Sequence, residues 1–244
     1  YTSTFAVLSG NGSIRNGTAA AGTFIAGGSA ASTFSGNIIN GSTGALTFKY
    51  TGTGTLTLTG ANTYTGGTTI NGGTLSVATG GTTGTNLSSS TATLGGGTLF
   101  INTTGTISNL ITLATGTHTI AAASGVTGTL SGVISGAGTG TLNIGSGAGT
   151  GTVVFTGANT YSGGTTIAAN STLQLTGSGV LGAGAVIDSG TLSFNNNAIN
   201  TVSGITGSGT ITVATGSGLK LSGGLGTTTT IASGGFLDLN GQNS

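Results

Sequence analysis

The chain has 244 residues and five formal charges, Arg15, Lys49, Lys220, Asp188 and Asp238, for a net charge of +1. Charged residues make up 2% of it, against roughly a quarter in an ordinary soluble domain, so it offers no electrostatic footprint for nucleic acid or an anionic membrane surface. Cys, Pro, Met, Trp and Glu are absent while Gly and Thr each occur 53 times, which excludes a disulfide framework and a thiolate metal site.

Apolar residues make up 35% of the chain and the mean hydropathy is +0.36, more than a disordered chain carries. Collagen is excluded because Gly keeps no three-residue period and proline is missing. Gly, Thr or Ser interrupts every apolar stretch before it reaches the length of a membrane span.

In chain order, apolar pairs flank a single residue at Leu56/Leu58, Leu75/Val77, Leu99/Ile101, Leu173/Leu175, Leu192/Phe194, Ile211/Val213, Leu219/Leu221 and Leu237/Leu239. Each pair has the period-2 signature of a short strand with one buried face. No stretch sustains helical spacing. The interval from Leu56 to Leu75 recurs from Leu173 to Leu192 and from Leu192 to Ile211, and that from Leu219 to Leu237 is only slightly shorter. Short strands between Gly, Asn and Ser turns at this interval describe the coils of a parallel β-solenoid. The expectation is one continuous all-β solenoid over residues 1–244, with roughly 18–20 residues per coil and about 11–13 coils.

A longer repeat overlies this beat. Residues 55–77 read TLTLTGANTYTGGTTINGGTLSV and residues 152–175 read TVVFTGANTYSGGTTIAANSTLQL. Gly60, Asn62, Tyr64, Gly66, Gly67 and Ile70 recur at a constant offset as Gly157, Asn159, Tyr161, Gly163, Gly164 and Ile167. With the segment at 34–48 aligned to that at 130–144, the repeat covers 34–77 and 130–175. The closing segment 231–244 reads as the truncated opening of another copy.

These two segments closely resemble the autotransporter-associated β-strand repeat found in passenger domains of bacterial autotransporters and in very large secreted repeat proteins. The resemblance implies a right-handed parallel β-helix, outside the cell or on its surface, in a protein made for adhesion, display or surface structure. It brings no catalytic residue, cofactor or metal ligand to transfer.

The chemistry-bearing residues are few. Asp188 and Asp238, the only carboxylates, read as turn or surface residues on different coils, too far apart for a glycosidase pair. His118, between Thr117 and Thr119, reads as an outward residue with no neighbours to complete a triad or a metal site. The glycine-rich stretch 145–151 lacks the lysine of a phosphate loop. Tyr64 and Tyr161 read as corner residues packing over the next coil, with an aromatic glycan platform as the alternative. Thr-x-Thr runs raise the further alternative of an ice-binding solenoid. That requires Thr pairs in register on one face over many coils, and along the sequence they are scattered.

The reading is a non-enzymatic extracellular structural protein without cofactor. It shows no charged cap at either end, so coils are expected to stack head to tail, or strands to exchange, between copies of the chain. The alternative is an adhesin passenger that binds glycans or cells.

Overall fold

A computed structural model describes residues 1–41, 43–78, 87–88, 90–136, 140–226 and 228–239. All secondary structure among them is β: 28 strands of two to five residues, paired with one another in parallel. The chain is a three-sided β-solenoid, and each side is a stack of strands contributed by successive coils.

The second side is the most continuous. Its nine-stranded sheet runs from Ser32–Phe34 to Ile205–Thr206 and is extended by bridges from Phe34 to Gly10 and from Ile205 to Leu225. Ten steps therefore carry the chain from Gly10 to Leu225 through eleven coils, about 21 residues per step and roughly 50 Å of rod. The first side is a seven-stranded sheet from Thr2–Phe5 to Ile134–Ser135. It continues through irregular segments, where Thr160 and Ser162 donate to Ile134 and Gly136 and Ala183 donates to Tyr161. A three-stranded sheet from Ile199–Val202 to Phe236–Asp238 completes it. The third side starts with the paired strands Ser13–Arg15 and Asn37–Ile39, and from the fifth coil onward is a seven-stranded sheet from Gly105–Ile107 to Thr228–Ile231.

Coil length is not uniform. Thr172, Thr191, Thr210 and Thr228 are successive register partners, and these closely spaced residues mark the shortest coils. Several upstream steps are longer, as from Gly22 to Leu46, from Thr68 to Ala92 and from Ile120 to Ile144, while that from Thr55 to Thr74 is as short. The extra residues go into corners. The 145–151 stretch is one of these, closed by the Gly149 amide donating to the Ser146 carbonyl at 2.8 Å.

Strand alternation decides the core. Seven of the eight apolar pairs, Leu56/Leu58 through Leu219/Leu221, are buried on both residues, so the period-2 signal marked the bore and not an outer surface. On the second side Leu56, Leu75, Leu99, Ile120, Ile144 and Ile167 stack in register from coil to coil. Truncating one such side chain to alanine costs about 2–5 kcal/mol in a well-packed interior. The N-terminal part of the bore is aromatic: the Phe5–Phe24 and Phe24–Phe48 ring centroids lie 5.3 and 5.8 Å apart, and the Tyr64 ring meets Phe48 edge-on at 6.2 Å.

Candidate functional site

The Gly-Ala-Asn-Thr-Tyr corners are the most elaborate local structures in the chain, and they face inward. Asn62 is buried, and its Oδ1 accepts the Ile38 amide from the coil below at 2.8 Å. Asn159 repeats the contact with the Ile134 amide at 2.8 Å, and its Nδ2 donates to the Val180 carbonyl of the coil above at 2.9 Å. Each asparagine thus supplies a ladder partner where the backbone turns away from its own strand. Leaving a buried amide unmatched costs about 1–3 kcal/mol. Asn159→Ala leaves two such groups unmatched and is expected to lower the unfolding free energy by about 2–4 kcal/mol in a denaturant titration. A loss below ~0.5 kcal/mol would contradict this bridging role.

The Tyr64 and Tyr161 rings are fully enclosed. Thr68 Oγ1 donates to the Leu87 carbonyl at 2.8 Å, so at the 2.5 Å contact between Tyr64 and Thr68 the tyrosine hydroxyl is the donor. Tyr161 makes the matching contact with Thr165 at 2.8 Å. Burial pushes both phenols above their ordinary range, against the opposing effect of these hydrogen bonds. Neither ring offers a face to a glycan, which overturns the platform reading.

Gly60 and Gly157 lie where adjacent corners touch. A Cβ on Gly60 would overlap the Gly36 carbonyl oxygen, and one on Gly157 would sit 2.5 Å from that of Gly132. A Cβ on Gly66 would meet the Leu46 backbone and Thr47, and Gly67 holds φ +88°. Gly163 is buried beneath Gly184, and Gly164 approaches the Ala185 carbonyl. Ile70 and Ile167 point into the bore.

The two copies occupy different sides of the prism. In the first, Leu56/Leu58 lie on the second side and Thr68–Ile70 on the first. In the second, Val153/Phe155 lie on the third side and Thr165–Ile167 on the second. The offset between the copies therefore spans four coils and one further side. Each copy makes the same corner contacts wherever it falls on the prism, because they are made to the coils directly above and below.

Two expectations about polar residues are corrected. Asp188 is no surface aspartate: it is fully buried and pairs in register with Ile167, one step along the bore-facing row. Its Oδ1 accepts the Gly190 amide at 3.0 Å, whereas Oδ2 is buried without a hydrogen-bond partner. Desolvation raises its pKa above the ordinary carboxylate value, and the Gly190 hydrogen bond opposes the rise. His118 also points inward, buried two residues before Ile120. Its Nε2 donates to the Ala114 carbonyl at 2.7 Å, and Nδ1 is enclosed without a partner. Asp238 lies on the outside, 3.8 Å from Lys220 in the neighbouring strand, so the two carboxylates share no site. Among the described residues no three His, Asp or Glu side chains come together to hold a metal.

The scattered threonines are also corrected. On the third side Thr127, Thr152, Thr172, Thr191, Thr210 and Thr228 form one column in strict register. Two residues along each strand, a second column runs from Thr106 through Thr129, Val154, Gln174, Ser193 and Thr212 to Thr230.

The model of the passenger-associated-transport-repeat family matches residues 50–77 and 148–169, about a fifth of the chain. These two segments are similar to the passenger-associated transport repeat. Both matched segments contain the buried corners described above, whose asparagines bond to neighbouring coils. No curated protein and no solved structure matches the chain. Segment 231–244 lies outside the family match, and residues 240–244 lie outside the described residues.

Proposed function

We propose that this passenger-type solenoid is a non-enzymatic structural element of a secreted or surface-displayed bacterial protein, and that it extends by stacking coil on coil. The observation that carries the reading is the apolar character of both terminal coils. At one end Tyr1, Phe5 and Val7 are each more than half exposed. A cavity of about 340 Å³ opens there, lined by Phe5, Leu8, Ile14, Phe24 and Leu46 together with Arg15 and the small polar side chains of that coil pair. At the other end Ile231, Phe236 and Leu239 are exposed.

Among the described residues Thr2–Phe5 and Thr228–Ile231 are edge strands of their sheets, and an edge strand can template another parallel strand. The natural occupant of each end is a further solenoid coil. In a solution of this chain alone, that coil comes from a second copy in a head-to-tail contact that does not close.

Phe5→Lys places a charge at the mouth of the bore and tests this reading. Concentrated wild-type protein is expected to form unbranched filaments in electron micrographs, and the variant to remain as single rods. Wild-type protein that stays monomeric in sedimentation at high concentration would overturn end-to-end stacking. An adhesive role for the repeat motif itself is not favoured, because its tyrosines are enclosed.

A further inference from the structure

We infer that the third side of the prism, from the fifth coil onward, is an ice-binding surface. The occupant is set first by charge. None of the five charged residues lies on the third side's seven-stranded sheet: Arg15 belongs to the first coil, Lys49, Lys220 and Asp238 to the first side, and Asp188 to the bore. An ion, a nucleic acid or a charged polysaccharide would give up hydration on this face and meet no counter-charge. The surface complements an uncharged partner.

The second constraint is periodicity. Parallel strands repeat every ~4.8 Å across the sheet, and residues two apart along a strand are separated by ~6.7 Å. The first column places a hydroxyl and a methyl on every strand from Thr127 to Thr228, and the second adds them at Thr106, Thr129, Thr212 and Thr230, on a rectangular net of about those dimensions. This net lies close to the oxygen repeats on the prism face of hexagonal ice, and a flexible solute has no such fixed net to offer in return. Threonine suits the task because β-branching restricts χ1, so its hydroxyl and methyl keep one orientation and lose little freedom when the lattice docks. The second column is interrupted in its middle, where Val154 is buried, Gln174 is a long side chain and Ser193 lacks the methyl.

The other two sides lack this regularity. On the second side the row from Thr55 through Thr74, Thr98 and Thr119 is interrupted by Asn143 and Ile187, and its neighbour by Phe100 and Ala121. On the first side the equivalent row holds Ile25 and Lys49. One face of three thus carries no charge together with an unbroken threonine column, from Thr127 to Thr228. The inference is independent of filament formation, since the columns are complete within a single chain.

The test uses the whole chain, fluorescently labelled, with a single-crystal ice hemisphere as the probe and growth-arrest measurements beside it. Wild-type protein is expected to be taken up on prism-related planes and to hold back crystal growth below the melting point. Thr172→Lys combined with Thr191→Lys sets charges in the middle of the first column and is expected to reduce uptake about tenfold or more. Thr69→Lys with Thr93→Lys, on the first side, is expected to leave uptake unchanged. Circular dichroism identifies any variant that fails to fold, and Thr172→Gln with Thr191→Gln, which breaks the net without adding charge, then replaces the Lys pair. Absence of ice uptake by folded wild-type protein, or equal uptake by both pairs of variants, would overturn the inference. So would retention on microcrystalline cellulose in place of ice, since that outcome assigns the face to a polysaccharide lattice.

Discussion

Replacing Asp188 by asparagine is expected to remove most of the acid-side pH dependence of this protein's stability and to raise its thermal midpoint at pH 8. The folded chain holds the Asp188 carboxyl in the bore, on the same row as Ile144 and Ile167, with one oxygen unmatched. Burial raises its pKa above the ordinary value of 3.8. Between that value and the raised one, the folded state keeps a proton that the unfolded chain has lost. The contribution of Asp188 to stability is therefore greatest at low pH, falls as pH rises through this window, and levels off above it.

No charged side chain occurs in the strands packed around Asp188, namely Thr165–Ile167, Thr191–Asn195 and Ile205–Thr206, so nothing nearby compensates the ionised form. Glycine above the carboxyl makes the site possible, since a Cβ on Gly209 would overlap the Asp188 Cγ. Asparagine keeps the shape and the Gly190 contact but cannot ionise. Calorimetry from pH 3 to pH 8 checks this: a midpoint that falls with pH in the wild type and stays level in Asp188→Asn is the expected pair of curves. Parallel curves would show that Asp188 does not ionise against a cost in the folded chain.

The second large effect is expected at Gly60. Its Cβ position falls on the Gly36 carbonyl oxygen, and Gly60→Val cannot be accommodated by a side-chain rotation, because the obstacle is backbone. The coils must separate locally, which breaks the neighbouring ladder bond from Thr59 to Phe34. A loss of about 2–4 kcal/mol is expected, in the range that overpacking and broken buried contacts produce. Gly12→Ala is the matched control, since nothing lies within 4 Å of its Cβ position and its φ is not left-handed; it is expected to change stability by less than about 0.5 kcal/mol. Similar losses in both variants would mean that glycine is needed here for chain flexibility and not for close approach between coils.

The architecture was legible because alternation survives wherever a strand has one dry face. Leu56/Leu58 and Leu192/Phe194 announce the bore without help from any other residue. The inward His118 was legible too. It stands two residues before Ile120, so alternation sets both on one side, although its threonine neighbours carry the polarity of an outer surface. Asp188 was harder. In Val186-Ile187-Asp188 alternation allows either Ile187 or the Val186/Asp188 pair inside, and polarity argues for the wrong one.

The threonine columns were out of reach for a different reason. The step from Thr127 to Thr152 is longer than the step from Thr152 to Thr172, and those onward to Thr191, Thr210 and Thr228 are shorter again. No fixed period collects such a series. Threonine is too common in the chain for a column to stand out before the corners have fixed the length of each coil.

The bore, the buried repeat corners and the threonine face all depend on the register of the coils. Its most direct test is a spin-label distance between Thr127→Cys and Thr228→Cys, which is clean because the chain has no cysteine of its own. Five coil steps separate the two positions on one side of the prism. The expected result is a single narrow distribution centred at roughly 24 Å, from five strand spacings of about 4.8 Å. A broad distribution, or a centre displaced by more than about two coil spacings, would contradict the register and everything that rests on it.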